Sequence, residues 1–576
     1  MKYFFTVFFV LVAACLYSQD FQWMKGGGSL FTNQANYIST TSEGDIITIG
    51  HFTVSVDFDF DPNSSYDLTF PIQNQQVHSN LFIHKMNADG DFIWAKGIDG
   101  TTLATNGDTW VADKNGSTYI AGQFTEQLDV DPSLNSHILS SNGIMDFYVM
   151  RLDQNGEFMW GNSFGGIAHD NVHGIDIDSM GNCYLNGSFN STIDFDPGPD
   201  SVIVNPVGTY DSFILKLDKN GNFLWVKTIE SSAISGSYFS TLKVTDAGHI
   251  YFLDWYSEST DLDPGPGIHQ ISPSAPNSCF FIRFDTNGDF ITANELSFLG
   301  VSGGLGGAVL GDFEIDDSGS TYLGGRMWGT IPLEIDQVAV LMESDGLSND
   351  AFIVKLDSGG EIIWAKRDGG PNPEQINDLF YSTNGEIYCA GHIAWGGGLF
   401  NPGPTVVAEM GGAGFFVQKI SSDGDYLSVR GADNGAGSIW ANGITLSSDG
   451  SIYTCGGMMG VVQIDSNNVS SEYSSNINLG SDLWIMKLTE TQDEPIELDY
   501  AVFPNPFSNE LTIQLDKLHD LVTIQMIDLS GQLLMEKSYD HQTNILINCK
   551  QLSSGVYFIK IVLSDGVTKI HKLTKS

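Results

Sequence analysis

Two glycine turns recur along this chain, and their spacing constrains the fold more than any other feature. The first precedes an aromatic strand: Gly116-Ser-Thr-Tyr119, Gly181-Asn-Cys-Tyr184, Gly248-His-Ile-Tyr251, Gly319-Ser-Thr-Tyr322, Gly385-Glu-Ile-Tyr388 and Gly450-Ser-Ile-Tyr453, with Gly44-Asp-Ile-Ile47 as a weaker first copy. The second is Asp-x-Asn-Gly or a variant, as in Asp153-Gln-Asn-Gly156, Asp218-Lys-Asn-Gly221 and Asp285-Thr-Asn-Gly288. Glycine supplies positive φ and Asp or Asn bonds the turn backbone, so both are hairpin tips. A strand such as Phe82-Ile-His-Lys85 or Phe213-Ile-Leu-Lys216 precedes the second turn, and a strand ending near Trp94, Trp160, Trp225 or Trp364 follows it. From Trp23 through Trp94, Trp160, Trp225, Thr292 and Trp364 to Ser428, that position recurs at intervals of 71, 66, 65, 67, 72 and 64 residues. Each unit therefore holds four short strands, a to d, with tight a–b and c–d turns and a long b–c loop. Four-stranded units at a fixed period, rich in Gly and aromatics, predict a β-propeller.

The ends of the array predict how it closes. Asp20-Phe-Gln-Trp-Met-Lys25 matches the fourth strand Asp91-Phe-Ile-Trp-Ala-Lys96 but precedes any complete unit, while Asp482-Leu-Trp-Ile-Met-Lys-Leu488 matches a third strand with no fourth after it. The N-terminal strand is expected to complete the last blade, giving seven blades and no open edge. The motifs Phe-Ile-x-Lys-Leu-Asp-x-x-Gly and Asp-x-x-Gly-Asn-x-Tyr-x-x-Gly resemble those of the bacterial β-propeller repeat family called SBBP, over about Phe21 to Leu488. That resemblance implies a propeller and little about activity.

The repeated Trp residues are expected between blades, where a large ring removes about 150–250 Å² from water. Lys25, Lys96, Lys227 and Lys366, near the end of the outermost strand, are expected to blunt edge pairing rather than hold a ligand.

Binding is expected on the long b–c loops, displayed on one side of a rigid scaffold. They carry Asp57-Phe-Asp-Phe-Asp-Pro62, Asp129-Val-Asp-Pro132, Asp194-Phe-Asp-Pro197 and Asp261-Leu-Asp-Pro264, decaying in blades five to seven to Glu334-Ile-Asp336, Leu399-Phe-Asn-Pro402 and Gln463-Ile-Asp465. An extended Asp-x-Asp puts both carboxylates on one side and the middle apolar residue inward. Two readings follow. The pairs Asp59/Asp61, Asp129/Asp131, Asp194/Asp196 and Asp261/Asp263 supply part of a Ca²⁺ shell, which needs six to eight oxygens; or Asp-Pro-Gly-Pro is a rigid turn in which Asp bonds its own backbone. The Asp-x-Asn-Gly tips lack the spacing of a calcium loop and the leading Ser or Thr of the sialidase Asp-box, and are expected to be plain turns.

Catalytic motifs are scarce. His169-Asp-Asn-Val-His173 has the outer spacing of a zinc-protease motif, but Asp170 replaces the usual Glu and the stretch falls in a blade link rather than a helix. There is no phosphate loop and no Gly-x-Ser-x-Gly elbow. The remaining cysteines after Cys15 form no C-x-x-C pair, and strand parity turns Cys389 and Cys455 to opposite faces, so free buried thiols are expected.

Charge locates a boundary. The chain has 70 acidic against 25 basic residues, a net charge of −45. Such an excess excludes a nucleic-acid partner, whose phosphates need Lys and Arg. From Tyr500 onward the acids and lysines balance, so the whole excess lies upstream. At the start, Lys2 and the apolar run Tyr3–Leu16 are read as a secretory signal over residues 1–18, cut near Ser18–Gln19; Val12-Ala-Ala-Cys15 also fits a lipobox, which would make Cys15 a lipidated N-terminus. No later segment is long and apolar enough for a membrane span.

The expected domains are thus the signal (1–18), an all-β seven-bladed propeller (19–488), a polar linker (489–499) and a small β-sandwich (500–576). In the last, Val502-Phe-Pro-Asn-Pro-Phe-Ser508, Asp528-Leu-Ser-Gly531 and Leu552-Ser-Ser-Gly-Val-Tyr557 closely resemble the type A C-terminal sorting domain of the type IX secretion system of Bacteroidetes. The resemblance implies export to the periplasm, passage through the outer membrane by that machinery, and release or attachment at the cell surface. The expected function is a secreted or cell-surface protein that binds a protein or glycan through the acidic loop face. The alternative is a polysaccharide hydrolase or lyase using carboxylates of those loops.

Overall fold

The computed structural model describes residues 17–576 except 29–30, 71–77, 101–107, 232–239, 275–277, 303–305, 336–337, 345–347, 371, 395–397, 401–407, 411–413, 432–436, 467–468, 475–479, 493–499, 505, 516–520, 529–532, 541, 564–567 and 576. Residues 1–16 of the expected signal with Cys15, Asp336 and the Asn401-Pro402 pair lie outside the described residues, while Tyr17 and Ser18 begin a described strand. No helix among those described is long and apolar enough to cross a membrane. The chain divides into two compact units, Tyr17–Thr491 and a unit containing Gln492–Ser576.

In the first unit, seven antiparallel sheets follow one another, each ordered a-b-c-d. Blade 1 is Gln34–Thr40, Ile46–Phe52, Asn80–Met86 and Phe92–Ile98, and blade 3 is Asp170–Ile177, Cys183–Phe189, Tyr210–Leu217 and Phe223–Ser231. Blade 5 carries extra pairing: its strand b, Thr321–Ile335, runs on into a hairpin with Val338–Glu343. Blade 7 consists of Ser438–Leu446, Ile452–Met459, Asp482–Gln492 and, as its outer strand, Tyr17–Gly27 from the N-terminus. The closure expected from sequence is therefore present. Strand c of blade 7 extends beyond Leu488 into the segment expected as linker, and there Glu490 accepts from Lys419 Nζ at 2.9 Å.

Strands b and c are buried on both faces because each blade is sandwiched between two others; Asn80–Met86 and Thr118–Phe124 are buried at every position. Seven apolar cores result, one per junction. Ile49, Ile83, Phe124 and Tyr148 join blades 1 and 2, and Tyr453, Cys455, Ile38 and Phe82 join blade 7 back to blade 1. Cys183, Cys279, Cys389, Cys455 and Cys549 are all free and buried. Cys389 lies in the core between blades 5 and 6 and Cys455 in that between 7 and 1, on opposite faces of their sheets as parity requires.

The repeat residues hold neighbouring blades in register. Gly221, at φ 83°, sits under the Trp160 ring of the preceding blade, so close that a Cβ would lie 2.8 Å from it. Trp160 Nε1 then donates to Lys219 O of the same turn at 3.0 Å. The Trp is an inter-blade lid on the next c–d turn, which explains both the conserved ring position and the positive-φ glycine within this repeat. Lys96 and Lys227, expected to guard an edge, instead reach Glu157 and Asp289 of the following blade, both at 3.2 Å. The Lys or Arg of strand c lies over the repeat Tyr, as Lys216 does over Tyr184 at 4.6 Å from the ring centre, and faces the acid of the a–b turn, Asp178, at 3.7 Å. Such cation–π contacts strengthen when desolvated.

The second unit pairs a three-stranded sheet (Tyr500–Phe503, Glu510–Leu515, Asn544–Asn548) with a four-stranded one (Leu533–Asp540, Leu521–Asp528, Gly555–Leu563, Thr568–Lys575). Leu511, Ile513, Ile524, Ile545, Ile559 and Leu573 fill the core between them.

Candidate functional site

The acidic b–c loops form small hairpins, and their geometry follows from the Asp-x-Asp pattern. The middle residues Phe58, Val130, Phe195 and Leu262 are fully buried, as alternation demands. The first Asp closes the hairpin: Asp194 Oδ1 accepts the N–H of Asp196 at 3.1 Å and of Val202 at 2.8 Å. Asp129 does the same for Asp131 and His137, and Asp261 for Asp263 and His269. The second Asp holds the following turn, Asp196 Oδ1 accepting from Gly198 N and Asp263 Oδ1 from Gly265 N, both at 2.8 Å. In blade 1 it is Asp57 that bonds Asp59 N and Tyr66 N, so Asp57/Asp59, rather than Asp59/Asp61, is the counterpart of Asp194/Asp196. Burial works against ionisation of Asp194, but the N–H groups outweigh it and hold the carboxyl below its ordinary range.

These hairpins fold back on the outer strand of their own blade. His137 Nε2 bonds Gly161 O at 3.0 Å, and His269 Nε2 bonds Ala293 O at 3.2 Å. Each Asp pair thus stays at the rim within its own hairpin, and among the described residues no three His, Cys, Asp or Glu side chains are grouped to hold a metal. His169 and His173 are likewise apart in role. His169 is exposed, while His173 occupies a bulge in strand a of blade 3 and bonds Ser188 Oγ at 3.2 Å, its pKa lowered by burial to about 4.

The main concavity lies on the other face. A cavity of about 1300 Å³ runs down the axis from the a–b turns, lined by strands a of all seven blades. Its charged centre draws on Asp312 and Asp378 and on one column of the repeat two positions further along, the residue five positions before each a–b glycine: Ser39, Val111, Asp176, Lys243, Glu314, Phe380 and Thr445. The residue opposite each is the repeat Tyr, or Ile47 in blade 1. Lys243 Nζ reaches Glu314 at 2.8 Å and Asp312 at 3.5 Å. Asp176 and Asp378 flank the group and also tie blades together: Asp176 accepts Val244 N at 2.6 Å, and Asp378 accepts Ile444 N at 2.7 Å.

The electrostatics follow from one cation among four carboxyls. Burial opposes the Lys243 charge, but Asp312, Glu314, Asp176 and Asp378 outweigh it and hold the ammonium well above its usual range. Burial pushes Glu314 up to about 7 and Asp176 up to about 6, with Lys243 opposing both. Burial and the neighbouring Asp312 charge raise Asp378 well above the carboxylate range. Tyr37, Trp110 and Tyr381 add aromatic side chains to the same lining.

Residues 501–576 match the family model of the secretion system C-terminal sorting domain. The sorting domain implies handling by the type IX secretion machinery, and secretion or an outer-surface location. Over 238 residues, 40% of its length, the chain is 23% identical to the regulatory protein FlaEY of Caulobacter vibrioides, of which the match spans 24%. Among solved structures, the extracellular domain of BT4673 from B. thetaiotaomicron aligns over 98% of this chain and 99% of its own at 10% identity, with a TM-score of 0.14. The Synechocystis apocarotenoid oxygenase aligns over 81% and 96% at 9% identity, with a TM-score of 0.32. The ring itself is defined by the strand pairing described above.

One buried acid outside the funnel gives a pH prediction. Glu374, at the junction of blades 5 and 6, is 2% exposed; burial, then the Asp350 charge, push it up to about 9. An acid raised in the folded state contributes stability below its ordinary range and loses it as pH rises toward the folded value, up to about 1.4 kcal/mol per pH unit. Glu374→Gln should raise the urea midpoint at about pH 8 and leave it little changed at about pH 5. Equal shifts at both would detach the effect from ionisation.

Proposed function

We propose that this SBBP-type propeller is a secreted or cell-surface binding protein whose protein or glycan ligand enters the axial funnel. The observation that carries this reading is the charged group in the funnel, where Asp176, Lys243 and Glu314 of three successive blades line the same cavity as Tyr37, Trp110 and Tyr381. Asp176 and Asp378 each hold a main-chain N–H of the next blade, and a hydroxyl-rich or cationic ligand would exchange hydrogen bonds with the Lys243–Glu314 pair that faces the cavity. Tyr381→Ala and Glu314→Gln, screened on a glycan array and on surface-protein extracts, are expected to weaken binding about tenfold or more, about 1.4 kcal/mol. Binding unchanged in both, but lost on altering the Asp194 hairpin, would move the site back to the acidic rim.

The hydrolase or lyase reading draws on one observation, Glu314 raised to about 7 within the same funnel, the range suited to a general acid near neutral pH. New reducing ends or unsaturated products from a bound polysaccharide, abolished in Glu314→Gln, would establish it.

A further inference from the structure

The b–c hairpin of blade 5 departs from those of the other blades. In blades 1 to 4 each strand of that hairpin is two or three residues long, and Asp57, Asp129, Asp194 or Asp261 closes it. In blade 5 strand b runs on from Thr330 to Ile335 and pairs with all six residues of Val338–Glu343. The hairpin of blade 7 is as long, but its second strand, Val469-Ser-Ser-Glu-Tyr-Ser474, is mostly polar, whereas that of blade 5 reads Val338-Ala-Val-Leu-Met-Glu343. Alternation sorts its side chains. Ile331, Leu333 and Met342 are buried in the core between blades 4 and 5 and anchor the root. Further out on the same face Val338 is 61% exposed, and on the opposite face Leu341 is 62% exposed.

The hydrogen-bond pattern identifies the open side. Ser344 N donates to Gly329 O at 2.9 Å. In an antiparallel ladder such bonded pairs alternate with pairs whose N–H and C=O point outward. Counting along the register, Ile331–Met342 and Leu333–Val340 bond inward. Ala339, Leu341 and Glu343 on one strand, and Thr330, Pro332 and Glu334 on the other, turn their main-chain groups outward. On the strand b side Pro332 has no N–H to offer, a common guard of an edge. Its register partner Leu341 does have one. Among the described residues no strand pairs with the outer side of Val338–Glu343. A six-residue edge without Pro or Gly, charged only at its end, is a template to which an extended chain can add.

Charge selects the guest. No Lys or Arg occurs between Arg326 and Lys355, and the exposed Glu334 and Glu343 lie on the same face as Ala339 and Leu341. A second copy would bring the same acids and the same net charge of −45. Guest residues opposite Ala339, Leu341 and Glu343 would form the bonded pairs and share their face, where opposite charges across the strands attract and like charges repel. The alternate guest residues would lie beside Val338 and Val340. We propose that the Val338–Glu343 edge of blade 5 docks an extended segment of a partner polypeptide, apolar at alternate positions and basic between them, as an added antiparallel strand. The root held in the core keeps this edge ready-formed, which lowers the ordering cost of binding. The surface belongs to the loop side of the ring and does not depend on the funnel reading.

The test is fluorescence polarisation of a labelled, acetylated hexapeptide alternating Val and Lys, titrated with the purified full chain at physiological salt. Wild type should bind it saturably. The same peptide N-methylated at its lysines, equal in charge but without those donors, should not bind. Leu341→Pro copies Pro332 and removes an N–H that the hairpin does not use. It should keep the wild-type melting temperature and weaken binding about tenfold or more, about 1.4 kcal/mol. Glu334→Lys with Glu343→Lys should transfer preference to the hexapeptide alternating Val and Glu, a readout that stands if the Pro variant folds poorly. No saturable binding by wild type would overturn the proposal. So would equal binding of the N-methylated peptide, or equal binding by Leu341→Pro, since either reduces the contact to charge. A mass that doubles with protein concentration and falls back in Leu341→Pro would give the edge to a second copy and overturn it as well.

Discussion

Deleting Tyr17–Gly27 is expected to convert a cooperatively folded ring into an aggregation-prone one. This strand is the outer strand of blade 7, paired to Asp482–Gln492, while the other three strands of that blade come from the far end of the propeller. Met24, 5% exposed, packs into the core that also contains Tyr388, Phe415 and Trp484. Trp23 covers Gly90 of blade 1, where a Cβ would meet its ring at 3.2 Å. Truncating a buried Met alone costs about 2–5 kcal/mol, and the deletion adds an unpaired edge on strand c, which invites pairing between molecules. Scanning calorimetry and light scattering check this together. The point variant Met24→Ala should lower the melting temperature without aggregation, which separates lost packing from the opened edge. A melting temperature unchanged by the deletion would show that the ring closes without this strand.

Removal of residues 501–576 is expected to abolish delivery while leaving the propeller folded. The tail has its own core of Leu511, Ile513, Ile524, Ile545 and Ile559 and forms a separate compact unit, so nothing in the seven blade cores is lost with it. Its match to a sorting domain assigns it to the export route. The truncated protein should accumulate in the periplasm with a native-like melting curve, and fusing the tail to an unrelated folded passenger should carry that passenger out. Normal amounts of truncated protein in the medium would remove the sorting role. A truncated protein that unfolds would show instead that the tail supports the propeller.

The two variants probe parts of the molecule that were unequally legible. The ring was written in local rules: a glycine where φ must be positive, an Asp that bonds the turn, and strand parity that buries alternate or all positions. Each rule operates within a few residues, and repetition at a nearly constant interval makes a weak local signal strong. Closure was legible for the same reason, since Phe21–Lys25 and Phe92–Lys96 are copies of one strand. The sorting tail carried its own motifs.

The candidate sites obeyed other logic. Asp59, Asp61, Asp129, Asp131, Asp194, Asp196, Asp261 and Asp263 stand out because they repeat, and Asp129, Asp194 and Asp261 each accept a main-chain N–H of their own hairpin. Asp176, Lys243 and Glu314 occupy a single repeat column but differ from blade to blade, so a search for similarity passes over them. Asp170 stood in the sequence only as the residue replacing Glu in His169-Asp-Asn-Val-His173.

By itself, then, the sequence determined the strands, the turns, the number of blades, the closing segment and the presence of a separate C-terminal domain, because those depend on residues near one another in the chain or copied at a regular interval. Only the tertiary structure decided which face holds the cavity, and which acids meet. The ring brings Lys243 to Glu314 and Asp146 to Asp170 across blade junctions, where charge, burial and hydrogen-bond supply are set jointly by two sheets. No single stretch of sequence encodes that balance, since it depends on which residues of two sheets meet at a junction, Asn33 beside Asp482, Arg367 beside Asp350, and Asp170 beside Asp146.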